Sequence, residues 1–207
     1  MNAPETTIIQ IPGLMSKSIR KKIIFEREGL RIQKNNSFDP PTFIAAENIA
    51  GFRFGLNWFY GFQFTVGRQY IIQIIDSQNN IFTIKLNSYY QLKQKTYHKI
   101  WLEIINQLWD NFFVNNFNYY FDLYTIKQEF DLGDIKFHPF GISWPNVSLF
   151  WDEIAISNYQ TYFTIHHRGQ PMKNKHCNFK NDWNALILQS LLKKIIQEQN
   201  AFRNPAF

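Results

Sequence analysis

The chain has 207 residues, 45% of them hydrophobic, so it can bury a core; this excludes a wholly disordered protein and suits one domain or two small ones. Aromatic side chains make up 18%, with 21 Phe and 10 Tyr, which favours half-buried pleated surfaces and a strand-rich fold. The net charge of +6 is uneven: residues 1–118 carry 13 Lys/Arg against 8 Asp/Glu, and residues 119–207 carry 9 against 8.

Residues 1–18 contain Pro4, Pro12 and Gly13 without sustained periodicity, and read as an arm or loose strand. They lack the basic start and apolar run of a secretory signal, and no apolar run in the chain approaches the ~18 residues needed to span a bilayer. Lys17, Arg20, Lys21 and Lys22 then form a basic cluster, which is either an attractor for a phosphate-bearing partner or a solvated run before a strand. "KKIIFEREGLRI" predicts a hairpin in which Gly29 relieves a positive-φ position, and "NNSFDPP" a loop.

Strands are expected at 49–54, 62–66, 70–76 and 81–86, with Gly55, Gly61, Gly67 and "DSQNN" as breaks. Phe82, Ile84 and Leu86 alternate with Thr83 and Lys85, which assigns one buried and one wet face. "FRFGLNWFYGFQF" carries more aromatics than one buried face needs, so part of it is a candidate partner surface. The period then changes: Tyr97, Ile100, Trp101, Ile104, Ile105 and Leu108 fall at helical spacing. Residues 114–132, rich in Phe and Tyr, read as a connector unlike a flexible Gly/Ser linker.

The pattern then restarts. "DIKFHPFGISW" repeats "KIIFEREGLRI": aligned on Gly29 and Gly141, Ile23 matches Ile135 and Phe25 matches Phe137. Further on, "AENIAGF" corresponds to "WDEIAIS", so Asn48-Ile49 matches Glu153-Ile154, with strand entry expected at Asp152. Adjacent side chains on a strand face opposite ways, which argues against Asp152 and Glu153 as an acid/base pair. His166, His167, His176 and Cys177 flank one expected hairpin, a weak zinc or nucleophile pattern without metal-ligand spacing. Cys177 is the single cysteine, which excludes an intrachain disulfide and fits a reducing cytosol. Trp183, Leu186, Ile187, Leu191 and Ile195 predict a second amphipathic helix, capped by Asn181 or Asp182.

Two successive meanders, each closed by a helix, resemble pleckstrin-homology-like (PH-like) domains. The phrases "GDIKFHPFGISW", "FWDEIAI" and "NDWNALILQSLLKKI" resemble an uncharacterised group of bacterial PH-like proteins, over about residues 20–199. The resemblance implies an α+β fold of two PH-like units, each an antiparallel meander or partly open barrel with a C-terminal helix. The expected divisions are an arm at 1–18, a first domain at 19–118, a shorter second domain at 119–199 and a tail at 200–207. Gly29 and Trp101 are 72 positions apart but Gly141 and Trp183 only 42, so the second unit is either abbreviated or borrows a strand from the connector.

No coherent catalytic set, cofactor motif or phosphate loop is present, which points to a non-catalytic cytoplasmic binding or scaffolding protein. A protein or peptide is the expected partner, with an anionic lipid headgroup as the weaker choice and nucleic acid disfavoured. The expected contact surface is Lys17, Arg20, Lys21 and Lys22 with Arg31 and Lys34, backed by Trp58, Phe59 and Tyr60. The competing readings are a small enzyme or metal protein using the His/Cys hairpin, and a carrier of a small hydrophobic ligand.

Overall fold

The computed structural model describes residues 6–16, 18–35 and 40–203. The chain divides into two compact units, Met1–Phe112 and Phe113–Phe207. In the first, β1 (Thr7–Pro12), β2 (Ile19–Glu26), β3 (Gly29–Lys34) and β4 (Thr42–Ala45) form an antiparallel four-stranded meander. A single 3-10 turn, Ala46–Asn48, leads into the three-stranded meander of β5 (Ile49–Gly61), β6 (Phe64–Asp76) and β7 (Ile81–Tyr89), followed by α1 (Gln94–Leu108).

The stretch read as an arm holds β1, which pairs with β2 and buries Ile9 and Ile11. Two of the expected glycine breaks are absent. Gly55 and Gly67 lie inside long strands, and the chain turns only at Phe62-Gln63. Gly67 serves a close approach: a Cβ there would lie 2.3 Å from the Ser88 carbonyl oxygen. On α1, Tyr97, Ile100, Trp101, Ile104, Ile105 and Leu108 are buried, as their spacing predicts. The helix is also fastened by polar bonds, Trp101 Nε1 donating to Ile71 O at 3.1 Å and Tyr97 OH to Pro12 O at 2.9 Å.

The expected connector is mostly helix: a π-helical turn, Trp109–Phe113, and then α2 (Val114–Thr125). Phe and Tyr are only moderate helix formers, which hid it. Ring contacts at helical spacing support it locally, Phe117 with Phe121 at 6.2 Å and Phe121 with Tyr124 at 6.0 Å.

The second unit continues with β8 (Phe130–Leu132), β9 (Ile135–His138), β10 (Gly141–Trp144) and β11 (Val147–Phe150) as a four-stranded meander. After the turn Trp151–Glu153 come β12 (Ile154–Asn158), β13 (Tyr162–His167) and β14 (Gln170–Asn178) as a three-stranded one, then α3 (Ala185–Arg203). The unit's first strand, β8, is thus drawn from the last three residues of the expected connector. The unit is shorter because most of its strands are: β12 has 5 residues where β5 has 13, β13 has 6 where β6 has 13, and β9 has 4 where β2 has 8. The second helix starts at Ala185, so Trp183 precedes it, and Asp182 accepts a bond from Asn178 N at 2.7 Å instead of capping the helix.

Each unit thus runs four strands, three strands and a helix, and the junctions repeat in detail. Gly29 pairs with Glu26 and Ala45, and Gly141 with His138 and Phe150. A Cβ on Gly29 would lie 2.1 Å from Ile44 O, and one on Gly141 1.9 Å from Leu149 O. Ala46 N donates to Glu28 O and Trp151 N to Phe140 O, at 2.8 and 3.1 Å. Further along, Ser77 N donates to Asn48 O and Arg168 N to Glu153 O, both at 2.8 Å. Backbone packing that leaves no room for a side chain explains why glycine recurs at 29 and 141.

Both interiors are filled by side chains. Phe25, Leu30, Phe52, Tyr70, Ile72 and Ile104 are fully buried in the first unit, and Phe137, Ile154, Phe163, Leu191 and Ile195 in the second.

Candidate functional site

Strand alternation splits the expected basic surface. Lys21 and Lys34 are a cross-strand pair on the core side of the first sheet, while Lys22 and Arg31 lie on its outer side. Lys21 lines a cleft of about 300 Å³ with Arg20, Lys85, Tyr89 and Tyr97. Burial, and then repulsion from Lys34 and Lys85, hold its ammonium below the ordinary lysine range. Arg31 belongs to a different set. It bonds both oxygens of Glu26, at 3.1 Å each, and stacks over Phe43 at 5.1 Å. Its charge is therefore matched locally. Lys17 lies outside the described residues.

The aromatic members stand on the β5–β6 hairpin. Trp58 is paired across the strands with Arg68, whose guanidinium sits 4.4 Å from the indole centroid. Phe59 stacks on Tyr89 at 5.1 Å, across the side-chain-free position of Gly67. Tyr60 points to solvent, 72% exposed. Phe62 and Phe64 lie within the aromatic stretch singled out in the sequence, while Lys85 and Lys93, outside this hairpin, were missed. The alternation of Trp58, Tyr60, Phe62 and Phe64 carried the signal.

A second feature, in the other unit, was not visible as a motif. Among the described residues, β12 pairs on one side only, with β13. The bond from Arg168 N to Glu153 O sets the ladder phase, so the backbone groups of Ile154, Ile156 and Asn158 point away from β13. That open edge borders a groove of about 500 Å³ shared with α3, lined by Ile154, Ile156, Arg168, Lys193, Ile196 and Gln197 among others. Arg168 Nε occupies one edge acceptor, Ile154 O, at 3.0 Å. Gln189 of α3 donates to Asn158 Oδ1 at 2.8 Å and fixes the groove's far end. In the first unit the fifth strand meets its helix differently: Phe54 packs edge-on against Trp101 at 5.6 Å.

The His/Cys hairpin does not converge. Register places His176 opposite Thr164 and Cys177 opposite Phe163, on opposite faces of the sheet. His166 bonds Ser157 at 3.1 Å, His176 bonds Thr164 at 3.1 Å, and His167 Nδ1 accepts Gly169 N at 2.9 Å. Among the described residues no group of three or more His, Cys, Asp or Glu could hold a metal ion. Glu153 is occupied by the turn: one oxygen accepts Phe150 N at 3.0 Å and the other lies 3.4 Å from His167 Nε2. Ile154, not Asp152, begins the strand.

Burial pushes the Cys177 thiol up to about 12, with Asp182 and Asp134 adding to the effect and Lys175 opposing it. A raised thiol pKa favours the folded protein below the ordinary thiol range near 8.5, and that contribution fades as pH climbs towards the folded value. Iodoacetamide at pH 8 should modify Cys177 at least about a hundredfold more slowly in the folded chain than in urea, read by mass spectrometry. Equal rates would contradict its burial.

No family model matches the chain, and no curated protein does. Among solved structures, the chain is similar to one in the structure of the Spt16D Pob3N heterodimer, with 14% identity, a TM-score of 0.27, and coverage of 80% of this chain and 85% of that one. The fold itself is α+β, with open antiparallel sheets. No helix among the described residues is long and apolar enough to cross a membrane.

Proposed function

We propose that the chain is a non-catalytic cytoplasmic binding protein built from two PH-like units, and that its second unit takes an extended segment of a protein partner along β12. The four-plus-three strand order with a closing helix, found in both units, supports the PH-like reading. One observation carries the binding reading: β12 has an open edge beside an apolar groove. A strand edge offers main-chain donors and acceptors in register for an added strand, and a neighbouring groove selects its side chains. Here Ile156 and Ile196 would take an apolar side chain, while Lys193 and Arg168 at the rim favour acidic neighbours.

Cys177 lies on the face opposite His166 and His176, so these three side chains do not share one side of the sheet. A hollow carrier would need the interior that Tyr70, Phe52 and Phe163 occupy.

The test is selection of random dodecapeptides on the full chain, followed by titration of a labelled winner. Ile196→Glu, on the half-exposed side of α3, should weaken binding at least about tenfold without lowering the melting temperature. Ile156→Pro removes an outward N–H while leaving the β13 ladder intact, and should do the same. Failure to enrich any peptide, or indifference to both substitutions, would refute the groove.

A further inference from the structure

β8 to β11 form an antiparallel meander whose inner face carries Leu132, Ile135, Phe137, Ile142 and Leu149, all buried. Alternation puts the residues between them on the outer face, and the register lines these up in two rows across the strands. One row is Asp131, Lys136, Ser143 and Ser148; the next holds His138, Gly141 and Phe150. Glu129, the residue before β8, stands at the open end of this second row, since its neighbour Phe130 pairs with Phe137.

Three of these residues form a continuous chain of polar contacts. Glu129 Oε1 lies 3.2 Å from His138 Nδ1, and His138 Nε2 lies 2.8 Å from Ser143 Oγ. A carboxylate only accepts, so in the neutral imidazole Nδ1 carries the proton, Nε2 is the acceptor and the Ser143 hydroxyl donates to it. Gly141, beside His138 in the ladder, brings no side chain between the ring and Ser143. The duplicated hairpin of the first unit has Glu26 and Arg31 at the equivalent places, joined as an ion pair at 3.1 Å. There the diagonal holds two charges. Here it holds a hydroxyl and a base, with a carboxylate behind the base, in the order that nucleophilic attack by a serine requires.

His138 also lines a cleft of about 410 Å³, together with Glu129, Phe140, Phe150 and Ser148 among others. Ser148 stands directly across the ladder from Ser143. Phe140 and Phe150 are both largely exposed, so the cleft has apolar walls open to solvent. Lys136, opposite Ser143 on its other side, places a cation beside the hydroxyl, where a carbonyl oxygen under attack gains charge. The ladder closes on the two-residue turn Pro139-Phe140, so its alternation commits the Ser143 N–H to Lys136 O. With that main-chain donor engaged, the site suits one acylation per chain better than rapid turnover.

We propose that Ser143 is a covalent modification site that takes an apolar acyl group from an activated ester or thioester, with His138 as its base and Glu129 orienting the ring. Ser143 Oγ attacks the carbonyl carbon while its proton passes to His138 Nε2. The new C–O bond forms, the bond to the alkoxide or thiolate breaks, and His138 returns the proton to the departing group. The products are an acylated Ser143 and a free alcohol or thiol. The site lies on a different sheet from β12 and stands or falls independently of the groove.

The test is incubation of the full chain with p-nitrophenyl butyrate, followed by mass spectrometry of the labelled peptides. Ser143 should take up butyryl at least about tenfold faster than Ser157, whose partner His166 turns its other nitrogen to the His167 carbonyl oxygen at 3.4 Å and not to a carboxylate. His138→Ala should slow the Ser143 label at least about a hundredfold, with partial recovery on adding imidazole, which a merely structural role would not give. Glu129→Gln should slow it about tenfold or more at an unchanged melting temperature, and Glu129→Asp should keep more of the rate. Labelling confined to lysines, an equal rate at Ser157, or an unchanged rate in His138→Ala overturns the proposal.

Discussion

Gly141→Ala is expected to destabilise the second unit by about 3 kcal/mol or more, and Gly29→Ala the first by at least as much. At 141 the new Cβ would lie 1.9 Å from Leu149 O and 2.9 Å from Phe150 Cα, all backbone of the neighbouring strand, so no side chain can swing aside. At 29 the corresponding contact is 2.1 Å to Ile44 O, and the φ of +155° adds strain that an L side chain rarely bears. Gly133 supplies the control. It has φ of +62° but nothing within 4 Å of its would-be Cβ, so Gly133→Ala should cost only about 1 kcal/mol. Urea unfolding followed by amide hydrogen exchange in each unit measures the three separately. Equal, small losses at all three positions would mean that the repeated glycines are not the pivots of the duplicated junction.

The second large effect is expected at Trp151. Its side chain is 5% exposed, meets Tyr124 edge-on at 5.5 Å and Phe137 at 6.1 Å, and donates Nε1–H to Pro139 O at 3.1 Å. Trp151→Ala should therefore cost about 3–5 kcal/mol, enough to unfold the second unit near body temperature. Trp151→Phe keeps most of the buried ring and should cost less, the lost bond to Pro139 O contributing about 1 kcal/mol. Circular dichroism melts of the two variants decide this. Comparable losses would assign the effect to the hydrogen bond and not to packing.

The parts of the fold legible in the sequence are those written in local pattern. Alternation from Phe82 to Leu86 and helical spacing from Tyr97 to Leu108 both correspond to the faces found buried. The alignment of Gly29 with Gly141, and of Asn48 with Glu153, marks real equivalences because each position has the same backbone partner in its unit. Where the reading failed, the deciding contact was distant. Gly67 resembles a turn until its neighbour Ser88 is known, and the helix over Val114–Thr125 rests on ring stacking that propensity does not register.

The candidate surfaces divide the same way. Trp58, Phe59 and Tyr60 were readable as surplus aromatics, but grouping Arg31 with Lys21 was not sound, since one residue's shift along a strand reverses its face and Glu26 claims the guanidinium. The groove needs two segments, β12 and α3, separated by about thirty residues, and an edge strand has no local signature that distinguishes it from a central one.

The most direct test of the binding account is amide hydrogen exchange across β12 with and without a peptide selected on the full chain. Added-strand binding predicts new protection at Ile156 and Asn158, whose N–H groups point away from β13, with little change at Ala155 and Ser157, which the ladder already protects. Protection spread evenly over β12, or confined to the first unit, would contradict it.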